Sequence, residues 1–169
     1  MSAQQAGFAE FYAQTRDDCL RAVFASIGDR QAAEDYVAEA FARAWASWRK
    51  VSAHPVPRAW VIRTALNLAV SSWRRRRREM PVAEVAEPPS RLADDSVGHG
   101  PDSTIMEVLA GLPLRQRQVV ALRVFLDLDT AATAQALGIA PGTVTAHLAR
   151  ATSALREQLT HAGREEGNG

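Results

Sequence analysis

The chain has 169 residues, 47 % apolar and 23 % charged, which marks it as globular rather than disordered and suits one ordinary domain or two small ones. A single cysteine, Cys19, excludes an internal disulfide and a cysteine-rich metal site, and the four histidines, His54, His99, His147 and His161, show no metal-ligand spacing. Net charge is only +1, no apolar run approaches the roughly 20 residues that span a bilayer, and the start MSAQQAGFAEFY lacks the basic-then-apolar order of a secretory signal, so a cytoplasmic protein is expected.

Taken in chain order, the elements all read as helices. Phe8, Phe11 and Tyr12 begin an apolar stripe that Leu20, Val23, Phe24 and Ile27 continue at helical spacing, until Gly28-Asp29 breaks it. A second helix from about Gln31 carries Val37, Phe41, Ala44, Trp45 and Trp48. Its acids Glu34, Asp35 and Glu39 lie early, where the helix dipole favours them. A third follows HPVPRAW, with Pro57 suited to a first helical turn and Val61, Ala65, Leu68 and Ser72 on one face. It ends in five consecutive arginines, Arg74 to Arg78. Five like charges are costly to pack, so the run faces water or an anion, and with Trp60 and Trp73 on the same helix it suits a nucleic-acid backbone with bases close by.

Charge is unevenly spread. Residues 1–78 hold 13 basic and 7 acidic side chains, a net of +6, whereas residues 79–104 hold one basic and six acidic, a net of −5. Nineteen of the twenty basic residues are Arg, whose planar fork suits phosphate. The acidic stretch carries four prolines and two glycines and predicts a linker between two small domains. Beyond it, Ile105 to Gly111 predicts a short helix. Arg115 to Leu126 predicts another, with Val119, Leu122 and Leu126 on one face. Asp129 is placed to N-cap a helix running to Leu137, Gly138 to turn left-handed, and Pro141 to open a longer helix with Val144, Leu148, Ala151 and Leu155 inward. That is a helix-turn-helix, and Thr143, Thr145, His147 and Arg150 are its candidate contacts to a major groove. No Gly-rich phosphate loop, carboxylate-metal cluster or nucleophile motif is present, so no enzyme activity, metal or cofactor is expected.

Three stretches in this order resemble a bacterial RNA polymerase sigma factor of the extracytoplasmic-function group. AEDYVAEAFARAWASW (33–48) is similar to that family's core-polymerase-binding helix. PRAWVIRTALNLAVSSWRRRRR (57–78) is similar to the helix that melts and reads the minus-ten promoter element. The stretch 112–157 is similar to the domain that reads the minus-thirty-five element. The resemblance implies an all-α protein: a first domain over 1–78, a flexible acidic Pro-rich linker over 79–104, a helix-turn-helix domain over 105–160 and a tail over 161–169. It implies that Asp35, Glu39, Phe41, Arg43 and Trp45 hold the polymerase clamp, and that Trp60, Arg63, Asn67 and Arg74, Arg75, Arg76, Arg77 and Arg78 serve the minus-ten strand. Thr143, Thr145, His147 and Arg150 would meet the minus-thirty-five groove, and apolar residues from Leu114 to Leu126 would dock on the polymerase flap. Core RNA polymerase and promoter DNA are the implied partners, with an anti-sigma factor a further one. The runner-up is a stand-alone helix-turn-helix regulator on duplex operator DNA, which leaves residues 31–48 and 57–78 unexplained.

The chain also departs from the family's pattern. Ala140 stands where Ser commonly caps the recognition helix, a loss of about 1 kcal/mol. Ala132-Thr133-Ala134 replace the usual Glu-Ile-Ala, and Thr145-Ala146-His147 replace Lys-Ser-Arg. Two positive charges leave the DNA face, so weaker or altered minus-thirty-five binding is expected.

Overall fold

The computed structural model of the chain describes residues 1–79 and 101–166, and among these every regular element is a helix. The first half comprises α1 (Ala3–Ile27), α2 (Arg30–Ala46), α3 (Trp48–Ser52) and α4 (Pro57–Glu79). The second comprises α5 (Pro101–Ala110), α6 (Leu114–Val120), a π-helical turn (Ala121–Phe125), α7 (Thr130–Leu137) and α8 (Pro141–Glu166). Residues 80–100 of the expected linker lie outside the described residues. Its last four positions differ from expectation, because α5 already begins at Pro101.

Local chemistry sets the boundaries. Ser2 and Gln5 form a reciprocal capping box that opens α1. Gly28, at φ 74°, closes α1 and returns its N–H to the Phe24 carbonyl. Asp29 then caps α2 by accepting from the Ala32 N–H at 3.0 Å, so one dipeptide both ends and starts a helix. The predicted second helix breaks at Ser47, where φ −118° and ψ 25° leave the helical region, and Trp48 opens the separate turn α3. That kink drives Trp48 into the core, where it meets Phe8 at 5.3 Å and Phe11 at 5.2 Å between ring centroids. Phe41 packs on Phe11 and Tyr12 from the same side.

The second half departs once from its sequence pattern. Arg115 to Leu126 is not one α-helix: α6 widens into the π-helical turn, and Asp127 then adopts φ 48°. The turn is closed by the Leu128 N–H donating to the Leu122 carbonyl and by Arg123 Nη1 donating to the Leu128 carbonyl. Asp129 caps α7 through the Ala132 N–H at 2.7 Å, and Gly138, at φ 65°, ends it. The helix-turn-helix is therefore built as its residues predict.

The two halves share one core. α1 packs against α2 and α4 on one side and against α6 and the π-helical turn on the other, while α7 lies along α4. This explains why residues 117–122 are buried all round: the first half covers the side that a lone helix-turn-helix leaves open.

Candidate nucleic-acid interface

The turn that leads into α4 is held by the Val56 N–H, which donates to His54 Nδ1 at 3.0 Å, and Pro57 then opens the helix. Ala59, Ile62 and Leu66 go into the core. At about 100° per residue, Arg63, Asn67, Ser71, Arg74 and Arg78 recur at intervals of four, four, three and four, so they form one exposed stripe. Trp60, Thr64, Asn67, Leu68 and Ser71 face α2, and with Arg43, Ala46 and Ser47 they line an open cleft of about 450 Å³. Trp60 is only half-buried there, with part of its ring free for contact.

The five arginines are all exposed, but they do not share one helix face. Five successive helical residues go once round the axis. Arg74 and Arg78 extend the stripe of Arg63 and Asn67. Arg77 instead folds over the Trp73 ring, 5.3 Å from its centroid. Arg75 and Arg76 point to other sides. Arg63 is engaged elsewhere too: its Nη1 donates at 3.0 Å to the carbonyl of Gln135, in the last turn of α7.

On α8, Val144 and Ala151 are fully buried and Leu148 half-buried, which fixes the helix's roll. Thr143 and Arg150 are exposed on one flank of the outer face and Thr145 on the other, its hydroxyl turned back to the Pro141 carbonyl. Gly142, Ala146 and Ala149 lie between, so the centre of this face is small and the polar groups sit at its edges. His147, three residues after Val144, is drawn to the rim of the buried stripe. It is half-buried, and its Nδ1 is shielded from solvent without a hydrogen-bonding partner. The expectation that it stands with Thr143 and Arg150 as a free groove contact is corrected to that extent.

On α2, Asp35, Glu39 and Arg43 are exposed at four-residue steps; Gln31 donates to Asp35, and Arg43 Nε meets Glu39 at 2.8 Å. Trp45 stays 42 % exposed beside Phe8. Phe41 does not belong to this surface. It is 3 % exposed, because position 41 falls on the α1-facing side where aromatic packing outweighs exposure. Likewise Val119, Leu122 and Leu126 of the expected apolar docking stripe are buried, and Val124, 64 % exposed, is the large apolar residue of that segment left at the surface. Sequence reading assigned Arg43 only to the polymerase face; the fold also brings it into the cleft with Trp60 and Asn67. Ser47, Thr64, Leu68 and Ser71 were not foreseen there, although a stripe counted in steps of three and four from Trp60 would have found the last three.

Among the described residues no cluster of His, Cys, Asp or Glu is arranged to hold a metal ion, and no helix is long and apolar enough to cross a membrane. Cys19 is buried, and burial, then the neighbouring Asp18, pushes its thiol up to about 12, with Arg58 opposing.

Residues 11–79 match the family model for sigma-70 region 2, and residues 103–155 the model for sigma-70 region 4. The RNA polymerase sigma-E factor of Streptomyces coelicolor is 34 % identical over 152 residues, 89 % of this chain and 85 % of its own length. The ECF RNA polymerase sigma factor SigL of Mycobacterium tuberculosis is 33 % identical over 141 residues, 80 % of this chain and 79 % of its own.

The chain belongs to the extracytoplasmic-function sigma factors.

Solved structures show the same fold at lower identity. The sigma factor RpoE from Bartonella quintana, solved in complex with the anti-sigma factor NepR, gives a TM-score of 0.73 at 22 % identity, over 91 % of this chain and 97 % of that one. CnrH, solved with the cytosolic domain of CnrY, gives 0.65 at 21 % identity, over 93 % and 90 %. The protein is thus a transcription initiation factor that binds core RNA polymerase and directs promoter recognition. Region 2 contains the cleft and the stripe of α4, and region 4 contains the helix-turn-helix.

Proposed function

We propose that this sigma factor divides its work among three surfaces. The cleft between α2 and α4 takes bases of the minus-ten strand. Trp60 offers a stacking face, Asn67 an amide that can both donate to and accept from a base edge, and Arg43 a cation at the rim. Arg63, Arg74 and Arg78, on the stripe leading from it, follow the phosphates. Arg75 and Arg76 add long-range attraction, and Arg77 braces Trp73. On region 4, Thr143, Thr145 and Arg150 contact the minus-thirty-five duplex from the edges of a small-residue face that lets the helix approach closely, with His147 at its rim. Asp35, Glu39, Arg43 and Trp45 form the polymerase face on α2, with Phe41 supporting it from beneath. A cytoplasmic location follows from acting on polymerase and DNA. An anti-sigma factor as a further partner is supported by the anti-sigma complex of RpoE.

The observation that carries this reading is the cleft itself, an open aromatic-and-amide hollow continuous with a line of arginines on one helix face. Run-off transcription by purified core polymerase on promoter fragments of the source genome tests it. The wild-type chain should yield discrete new transcripts. Asn67→Ala should cut their yield at least tenfold while leaving the affinity for core polymerase unchanged. Equal loss of core binding, or full activity of the variant, would remove Asn67 from base contact.

A further inference from the structure

Arg43 stands where two surfaces meet. It closes the exposed stripe of Asp35 and Glu39 on α2, and it lines the cleft with Trp60 and Asn67. What it offers to the cleft depends on how its guanidinium is held. One turn back, Glu39 Oε1 accepts from Arg43 Nε at 2.8 Å. That bond grips the inner edge of the guanidinium plane. Among the described residues, Nη1 and Nη2 of Arg43 have no hydrogen-bonding partner. A planar fork with both terminal nitrogens free suits a pair of acceptors, whether on a phosphate or on a base edge.

The pair is better built than its neighbour on the same helix. Arg30 and Glu34 are also four apart, but they lie at 3.3 Å with the base first. Glu39 precedes Arg43, which is the favourable order along a helix, and Arg43 lies in the last turn of α2, where the dipole favours a cation. Charge alone gives Glu39 the opposite role. An acid beside a strand-binding cleft repels phosphate, so its removal would tighten binding. If the carboxylate works through Arg43, its removal weakens binding.

We infer that Glu39 is a positioning residue for the minus-ten strand: it holds the Arg43 guanidinium by Nε and presents Nη1 and Nη2 to the cleft beside Trp60 and Asn67. The inference rests on the proposed reading of the cleft, and it gives a second duty to a carboxylate of the proposed polymerase face.

The experiment uses holoenzyme at saturating core polymerase, so that a change in core affinity does not enter. The probe is a fluorescent single strand carrying the non-template minus-ten sequence of a promoter that the holoenzyme transcribes, and anisotropy reads its affinity. Arg43→Ala should weaken binding about tenfold. Glu39→Ala should weaken it about two- to threefold, the worth of a pair four residues apart. Glu39→Gln loses the charge but keeps an acceptor for Nε, and it should bind at least as tightly as the wild type. In the Arg43→Ala background, Glu39→Ala should cause no further loss. Unchanged or tighter binding by Glu39→Ala overturns the inference, and so does an equal loss in both backgrounds. If Arg43→Ala and Asn67→Ala both bind as the wild type does, the cleft is not the seat of the strand, and the inference falls with that reading. A salt titration identifies the acceptor: Arg43→Ala lowers the salt slope by about 0.7 where the fork meets a phosphate and leaves it unchanged where it meets a base edge.

Discussion

Cys19 illustrates how burial sets chemistry at a single position. Its place in a helical stretch already reads as that of a small packed residue, and the fold makes Cys19 one, fully buried, with its thiol at about 12 instead of the ordinary 9.0. A folded value above the unfolded one means full stability below pH 9.0, lost progressively as pH rises through 9 toward 12, because only the unfolded chain can then ionise the thiol. The native protein should not react with a thiol-specific chromogen at pH 8 until urea unfolds it, and Cys19→Ala should flatten the alkaline fall in stability. Rapid labelling of the native chain would contradict the burial. Phe41 and His147 teach a related lesson. Both lie where helical counting allows either an outward or an inward reading, and only the neighbours, Phe11 and Tyr12 for one and the Val144 stripe for the other, decide.

At the scale of the element, the caps and turns were legible in advance because they are local. Asp129, Gly138 and Pro141 do their work through bonds within a few residues. Asp129→Ala should lower stability by about 1 kcal/mol. Gly138→Ala should lower it by about 1–2 kcal/mol through left-handed strain alone, since a Cβ there meets nothing within 4 Å. Chemical denaturation measures both, and a neutral Gly138→Ala would mean that the turn relaxes. The arginine run behaves as a helix, not as a sum of charges. Arg74→Gln with Arg78→Gln should reduce the salt slope of single-strand binding by about 1.4, at about 0.7 per phosphate contact. Arg75→Gln with Arg76→Gln should reduce it by less. Equal effects of the two pairs would show that the run binds without regard to helical face.

For the whole molecule, the shared core has a thermodynamic consequence. With α1 wedged between α2 and α4 on one side and α6 and the π-helical turn on the other, the halves should melt in one cooperative transition rather than two. Met106→Asp places a carboxylate against Leu20 and Phe24 at the junction and should split that transition without loss of helix content below it. Calorimetry and far-ultraviolet dichroism read both quantities, and a single unsplit transition in the variant would show that the groove does not couple the halves.

The three family stretches were legible in the sequence by resemblance, whereas helix content, the helix-turn-helix and the arginine-tipped helix were determined by the residues themselves. Each rests on spacing, capping or charge within about a turn or two, and such effects survive without knowledge of the partner face. What only the tertiary structure decided depends on surfaces distant in the chain. The Ser47 kink that buries Trp48, the meeting of Arg43 with Trp60 and Asn67 across a cleft, and the all-round burial of residues 117–122 are of this kind. So is the hold of Arg63 on a carbonyl 72 positions away. An apolar stripe states that a face must be covered; it does not state by what, because hydrophobic burial is non-directional and its partner is chosen by the whole packing.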